Sequence, residues 1–180
     1  AGELAGLTIT PPEDFSGSFD LTVTATSSDG ADTASIADTL SVTVDPVADA
    51  PTLSVDPATG NEDSAIALDI TAGLTDADET LSVTISDIPA GSTLSAGTVN
   101  PDGTVTLTAA ELAGLTITPP EDFSGSFDLT VTATSSDGAD TASIADTLSV
   151  TVDPVADAPT LSVDPASGNE DSAIALDITA

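Results

Sequence analysis

Residues 1–72 return as residues 109–180 with only two differences, Gly2 against Ala110 and Thr59 against Ser167. The chain is therefore a window on a tandem repeat of 108 residues, and the folding unit is one period. That length suits a single domain with its own core. Near-identical tandem domains supply length or valency more readily than new chemistry. The chain opens in mid-repeat, so it is expected to come from a longer array.

Inside the period, apolar and polar residues alternate. Phe127, Leu129, Val131 and Ala133 share one face of Ser126–Thr134, and Leu148, Val150 and Val152 alternate in the same way. So do Ile66, Leu68 and Ile70, and Leu81, Val83 and Ile85. Period two with abundant Thr and Val marks half-buried antiparallel strands. Turn signals separate the runs: Asn100-Pro-Asp-Gly103, Ser136-Asp-Gly138, Pro119-Pro120 and Asp153-Pro154. Asp102 reads as a turn residue, and only Thr108–Leu112 hints at a single helical turn. The spacing predicts seven strands, A near 52–56, B 65–71, C 80–86, D 104–108, E 114–118, F 126–134 and G 143–152. Seven short strands in about 100 residues read as an all-β, Ig-like antiparallel sandwich. The stretch Asp-Pro-Val-Ala-Asp-Ala-Pro, at Asp45–Pro51 and again at Asp153–Pro159, follows strand G and sets the boundaries. Residues 1–49 are then the C-terminal part of one repeat, 50–157 a complete repeat, and 158–180 the first strands of another. Neither end segment has enough sequence to close a core alone.

Charge narrows the function. The chain has 31 Asp and Glu, no Lys, Arg or His, and a net charge of −31. No carboxylate can pair with a basic side chain of its own chain. Hydrophobic residues make up 39%, enough to build a core, so the charge calls for an external counterion rather than disorder. Nucleic acid and anionic membranes are poor partners for such a surface, and no apolar run approaches the roughly 18 residues of a membrane span. Without Cys, His or Met, the side-chain ligands are oxygens, which favours Ca²⁺ over Zn²⁺, Cu⁺ or haem iron. The absence of His, Cys and Lys removes the usual acid–base and nucleophilic groups, and four Phe without Trp or Tyr leave little to stack a sugar. The chain is read as a non-enzyme. An EF-hand at Asp76 is excluded because the glycine needed at the sixth loop position is missing. The Thr-x-Thr runs read as ordinary outer sheet faces, and Phe123 and Phe127 as core plugs near the E–F corner.

Successive strands of such a sandwich run alternately down and up. This puts the B–C loop (Asp76, Asp78, Glu79) and the F–G loop (Asp137, Asp140) at the pole of the incoming linker. The A–B turn (Glu62, Asp63) and the E–F loop (Glu121, Asp122) fall at the opposite pole, beside Asp153 and Asp157 of the outgoing linker. Stacked repeats therefore gather carboxylates where they meet: Glu13, Asp14, Asp45, Asp49, Asp76, Asp78, Glu79, Asp137 and Asp140 at the first junction. Glu170 is the A–B glutamate of the last segment. Two unit charges about 5 Å apart repel by roughly 1–3 kcal/mol at effective dielectrics of 80 to 20. Two or three Ca²⁺ ions, each taking 6–8 oxygens, are expected to neutralise such a junction and lock its hinge.

The linker resembles the Asp-x-Asn-Asp-Asn-Ala-Pro linker of cadherins, and Asp76-Ala-Asp78 resembles their Asp-x-Asp. The A–B glutamate and the E–F acidic pair also have cadherin counterparts. Across the whole period, Glu-Asp-Ser, Leu-Thr-Asp-Ala-Asp and Leu-Thr-Ile-Thr-Pro-Pro-Glu-Asp-Phe-Ser-Gly-Ser-Phe resemble the extender repeats of giant bacterial repeats-in-toxin adhesins. The glycine-rich nonapeptides of repeats-in-toxin β-rolls are absent, so the likeness is to the extender region. The resemblance implies cadherin-like domains arranged end to end as a monomeric rod, exported by type I secretion and held at the bacterial cell surface. Calcium between neighbouring repeats would stiffen that rod and project a distal adhesive domain. The alternatives are a repeat that itself binds a ligand, or one that assembles laterally into a calcium-dependent layer or filament.

Overall fold

A computed structural model of the chain describes residues 4–180. Residues 1–3, the opening of segment 1–49, lie outside the described residues. The complete repeat is a sandwich of two layers. One is a six-stranded sheet in the order β4 (Ala58–Asn61), β13 (Asp140–Asp153), β12 (Gly125–Asp137), β7 (Thr80–Ser86), β10 (Val105–Leu107) and β9 (Thr98–Val99). The other consists of two short ladders: β3 (Thr52–Asp56) with β6 (Asp69–Gly73), and β5 (Ile66–Ala67) with β11 (Thr116–Thr118) and β8 (Thr93–Leu94). Every pairing is antiparallel except that of β4 with β13, which is parallel.

Alternation along the strands builds the core. Val83 and Ile85 of β7, Leu129, Val131 and Ala133 of β12, and Leu148 and Val150 of β13 are completely buried. They meet Ile66, Ile70, Leu115 and Ile117 of the facing layer in one cluster. Each large aliphatic side chain so buried contributes about 1.5–3 kcal/mol. Phe123 and Phe127 pack against the rim of this cluster with ring centroids 5.9 Å apart. The helical turn expected at 108–112 is a 3₁₀ turn, Ala109–Leu112. The Thr108 N–H and hydroxyl both donate to the Glu111 carboxylate at 2.8 Å.

Strands β3 and β7 run between the limits expected for A and C, and β12 and β13 extend the expected F and G. Other elements differ. Strand B is interrupted at Leu68, whose N–H reaches the Leu115 carbonyl at 2.9 Å. The segment expected as D pairs with β7, Val105 opposite Ile85 and Leu107 opposite Val83. The strand beside β11 is instead β8, paired Leu94 with Ile117. Alternation reports which side chains face inward but not from which sheet they do so. Gly97 permits this detour: its φ is +99°, and a Cβ there would sit 2.5 Å from a Val105 methyl, so no other residue fits the crossing.

The end segments fold locally. Strands β1 (Gly17–Asp29) and β2 (Asp32–Val44) form a hairpin, and β14 (Ser162–Val163) pairs with β15 (Ile178–Thr179). Segment 158–180 is exposed throughout.

Candidate metal centre

The incoming linker of the complete repeat is held by the domain it enters. The Ala48 N–H donates to Asp140 at 2.9 Å, and the Asp49 N–H donates to Glu79 Oε1 at 2.5 Å. The Ser135 hydroxyl donates to the Asp49 carbonyl, and the Thr75 hydroxyl to the Ala50 carbonyl at 3.2 Å. This draws the linker carboxylate against the B–C loop. One carboxylate oxygen each from Asp14, Asp49 and Asp76 lies within 4.8 Å of the others. Asp76 is oriented by an Asx turn, accepting the Asp78 N–H at 2.9 Å. Asp14 stands at φ 59°, a left-handed conformation in which aspartate is among the few tolerated non-glycine residues. Loss of surrounding water raises the Asp14 carboxyl above its ordinary value, helped by the charges of Asp76, Glu13, Asp49 and Glu79.

Glu79 is the unusual member of this group. It is only 5% exposed, and its second carboxylate oxygen is buried without a hydrogen-bond partner. A buried, half-satisfied carboxylate is costly unless something positive joins it.

The outgoing pole repeats the motif from the other side. Asp63, Asp122 and Asp157 bring carboxylate oxygens within 4.8 Å of one another. Asp63 (φ 57°) and Asp122 (φ 56°) are again left-handed, and Asp63 accepts the Asp122 N–H at 3.0 Å. The charge of Asp157 raises the Asp122 carboxyl above its ordinary value, with loss of water, Asp63 and Glu121 adding to it. Glu62, 7% exposed, accepts the Val155 N–H at 2.5 Å, while its own N–H donates to the Asp153 carbonyl at 3.0 Å.

Among the described residues, six of the sixteen expected ligands thus fall into two three-carboxylate groups. Glu79 and Glu13 lie near enough to bear on Asp14, and Glu121 on Asp122. Asp45 and Asp137 line, with Asp14 and Asp49, a cleft of about 220 Å³ at the first junction. Asp140 and Glu62 are engaged with linker backbone. Asp78 and Asp153 contribute main-chain groups, and Glu170 is exposed in the last segment. Sequence reasoning missed Ser135. Its signal was legible: a hydroxyl at the core-facing step that follows Leu129, Val131 and Ala133, and a fully buried one. Chemically, both poles are collections of anionic oxygens with no basic side chain beside them, suited to a hard divalent cation.

A family model described as bacterial Ig domain matches residues 48–152, which takes in the sandwich and the start of its incoming clamp. Comparison with curated proteins returns no match. No helix among the described residues is long and apolar enough to cross a membrane.

Proposed function

The chain belongs to the bacterial Ig domain family, and from that premise we propose that it is a structural extender of a bacterial cell-surface adhesin. In this reading Ca²⁺ bound between repeats stiffens the array and carries a distal adhesive domain away from the cell. The supporting observation is the pair of carboxylate groups one period apart. Asp14 and Asp49 are the repeat equivalents of Asp122 and Asp157, so the two groups are overlapping views of one joint. Superimposed, they give four carboxylates around one position. The A–B turn, E–F loop and linker supply three, and the B–C loop of the next repeat supplies the fourth. Four carboxylates, with eight oxygens among them, would suffice for the 6–8 oxygens Ca²⁺ requires. The bare oxygen of Glu79 adds a further anionic ligand at the same pole.

The chemistry supplied by the ion is charge neutralisation and directed coordination. The residues do the rest. Left-handed aspartates present their carboxylates, and the buried glutamates and Ser135 hold the linker so that its own aspartate joins them. Low cytosolic Ca²⁺ leaves the joints open during type I export, and extracellular Ca²⁺ closes them by mass action. With strands of 7–9 residues at about 3.3 Å each plus linker, the rod advances roughly 40 Å per repeat.

Small-angle scattering in Ca²⁺ and in EDTA tests this reading. The maximum dimension should rise in Ca²⁺, and an unchanged value in both buffers would sink the stiffening. Asp76→Asn with Asp78→Asn should lower the melting temperature sharply in Ca²⁺ and barely in EDTA. Equal losses would assign those residues a calcium-independent role.

A further inference from the structure

The two linkers, laid over one another by the repeat, show a change of hands without a gap. The N–H of Val155 is held by Glu62, and the carbonyl of Asp153 by the Glu62 N–H, both from the preceding domain. Val47 is the repeat equivalent of Val155. The very next amide, that of Ala48, is held by Asp140 of the following domain, and Asp49 and Ala50 are held by Glu79, Ser135 and Thr75 of that same domain. Peptide planes are rigid, so between two clamped planes only φ and ψ of the intervening residue can turn. At this joint that residue is valine. Upstream, Pro46 has a fixed φ and restricts Asp45 before it, so little freedom remains there.

Neither flanking domain alone covers this valine: Val47 is 71% exposed against the following domain and Val155 44% exposed against the preceding one. What a β-branched residue offers at a linker position is stiffness, since its branching narrows the accessible backbone and side-chain conformations.

We infer that Val47, with its repeat equivalent Val155, is the single hinge residue of each joint, and that its β-branched side chain limits the swing of neighbouring repeats independently of cations. This deepens the extender reading, and its test separates the two. The chain has no cysteine, so in a chain extended by one further copy of the repeat before residue 1, which restores the counterpart of Glu62, nitroxide labels at Thr24→Cys and Thr147→Cys report one distance across the first joint by double electron–electron resonance. In EDTA, Val47→Gly should broaden that distance distribution about two-fold, while Val47→Thr keeps the wild-type width. Ala50→Gly, between two planes held by the same domain, should also leave the width unchanged. Equal broadening by Val47→Gly and Ala50→Gly, or none by either, overturns the hinge. Ca²⁺ failing to narrow any variant would count against the cation joint while leaving the hinge intact. Hydrogen exchange supplies the second arm: in EDTA the Val155 amide should be protected and lose that protection in Glu62→Ala. A wild-type Val155 amide that exchanges freely removes the lower clamp and the inference with it.

Discussion

Gly17–Val44 and Gly125–Val152 are the same sequence in two surroundings. Both form hairpins in the same register, Gly17 opposite Val44 and Gly125 opposite Val152, turning through the equivalent Asp29–Asp32 and Asp137–Asp140. Their burial is entirely different. Val23 is 53% exposed where Val131 is fully buried, and Leu40 is 53% exposed where Leu148 is fully buried. In the complete repeat, β12 is flanked by β7, the lower end of β13 is flanked by β4, and a second layer covers their inner face. Among the described residues the first hairpin has no such neighbours. Pairing and register are therefore local properties of the hairpin sequence. Burial is a property of strands whose paired residues lie 44 or more positions away in the chain.

The sharpest test of that division is the same deletion in both places. Leu148→Ala should cost about 2–5 kcal/mol of the repeat's unfolding free energy by urea denaturation, as cavity-forming core truncations do. Leu40→Ala, whose side chain is half in water, should cost less than about 1 kcal/mol. Comparable losses would mean that the first hairpin is covered in solution. A smaller contrast is expected between Ser135→Ala and Ser27→Ala. The first removes a buried donor and orphans the Asp49 carbonyl, a loss of about 1–2 kcal/mol, with faster exchange of the neighbouring Asp49 amide. The second removes a marginal 3.5 Å contact in an exposed hairpin and should be close to neutral. The smallest effect belongs to Glu111, in the complete repeat alone among the described residues. Hydrogen bonds from the Thr108 N–H and then its hydroxyl hold its carboxyl below the ordinary glutamate value. A carboxylate with a lowered folded value stabilises above its unfolded pKa and loses that contribution as pH falls through the folded one. Glu111→Gln should therefore lower the melting temperature slightly at neutral pH, and the difference should vanish in acid below the ordinary glutamate range. A difference that persists there would make the effect steric.

The same split between local and distant information explains what could be read from the sequence. Strand limits at Thr52–Asp56 and Thr80–Ser86 follow from period two and the flanking turn residues, which are local. So does the hairpin turn at Gly138, with its φ of +61°. The family match agrees with the sandwich. The sheet that β10 would join, the short strands β8 and β9, and the parallel seat of β4 beside β13 were not legible. Each depends on which partner wins a competition between similar alternating segments. The carboxylates behaved likewise: their poles followed from strand direction alone. That Asp63 would meet Asp122 and Asp157, or that Glu79 would be buried with one oxygen bare, rests on contacts spanning 30 to 93 residues. Ser135 is the exception, since its hydroxyl stood in an apolar row and could have been questioned.

The tight turn joining β12 to β13 carries a consequence for assembling a chain of near-copies. Every β12-like strand faces a choice between its own β13-like partner, two residues away around the turn, and the identical partner one period further on. Closing a loop of 110 residues rather than 2 costs about 3–4 kcal/mol more in chain entropy on a logarithmic scale. Each repeat thus finds itself before it can find its neighbour. That head start, written into two residues, favours pairing of this hairpin within a period over exchange of its strands between periods.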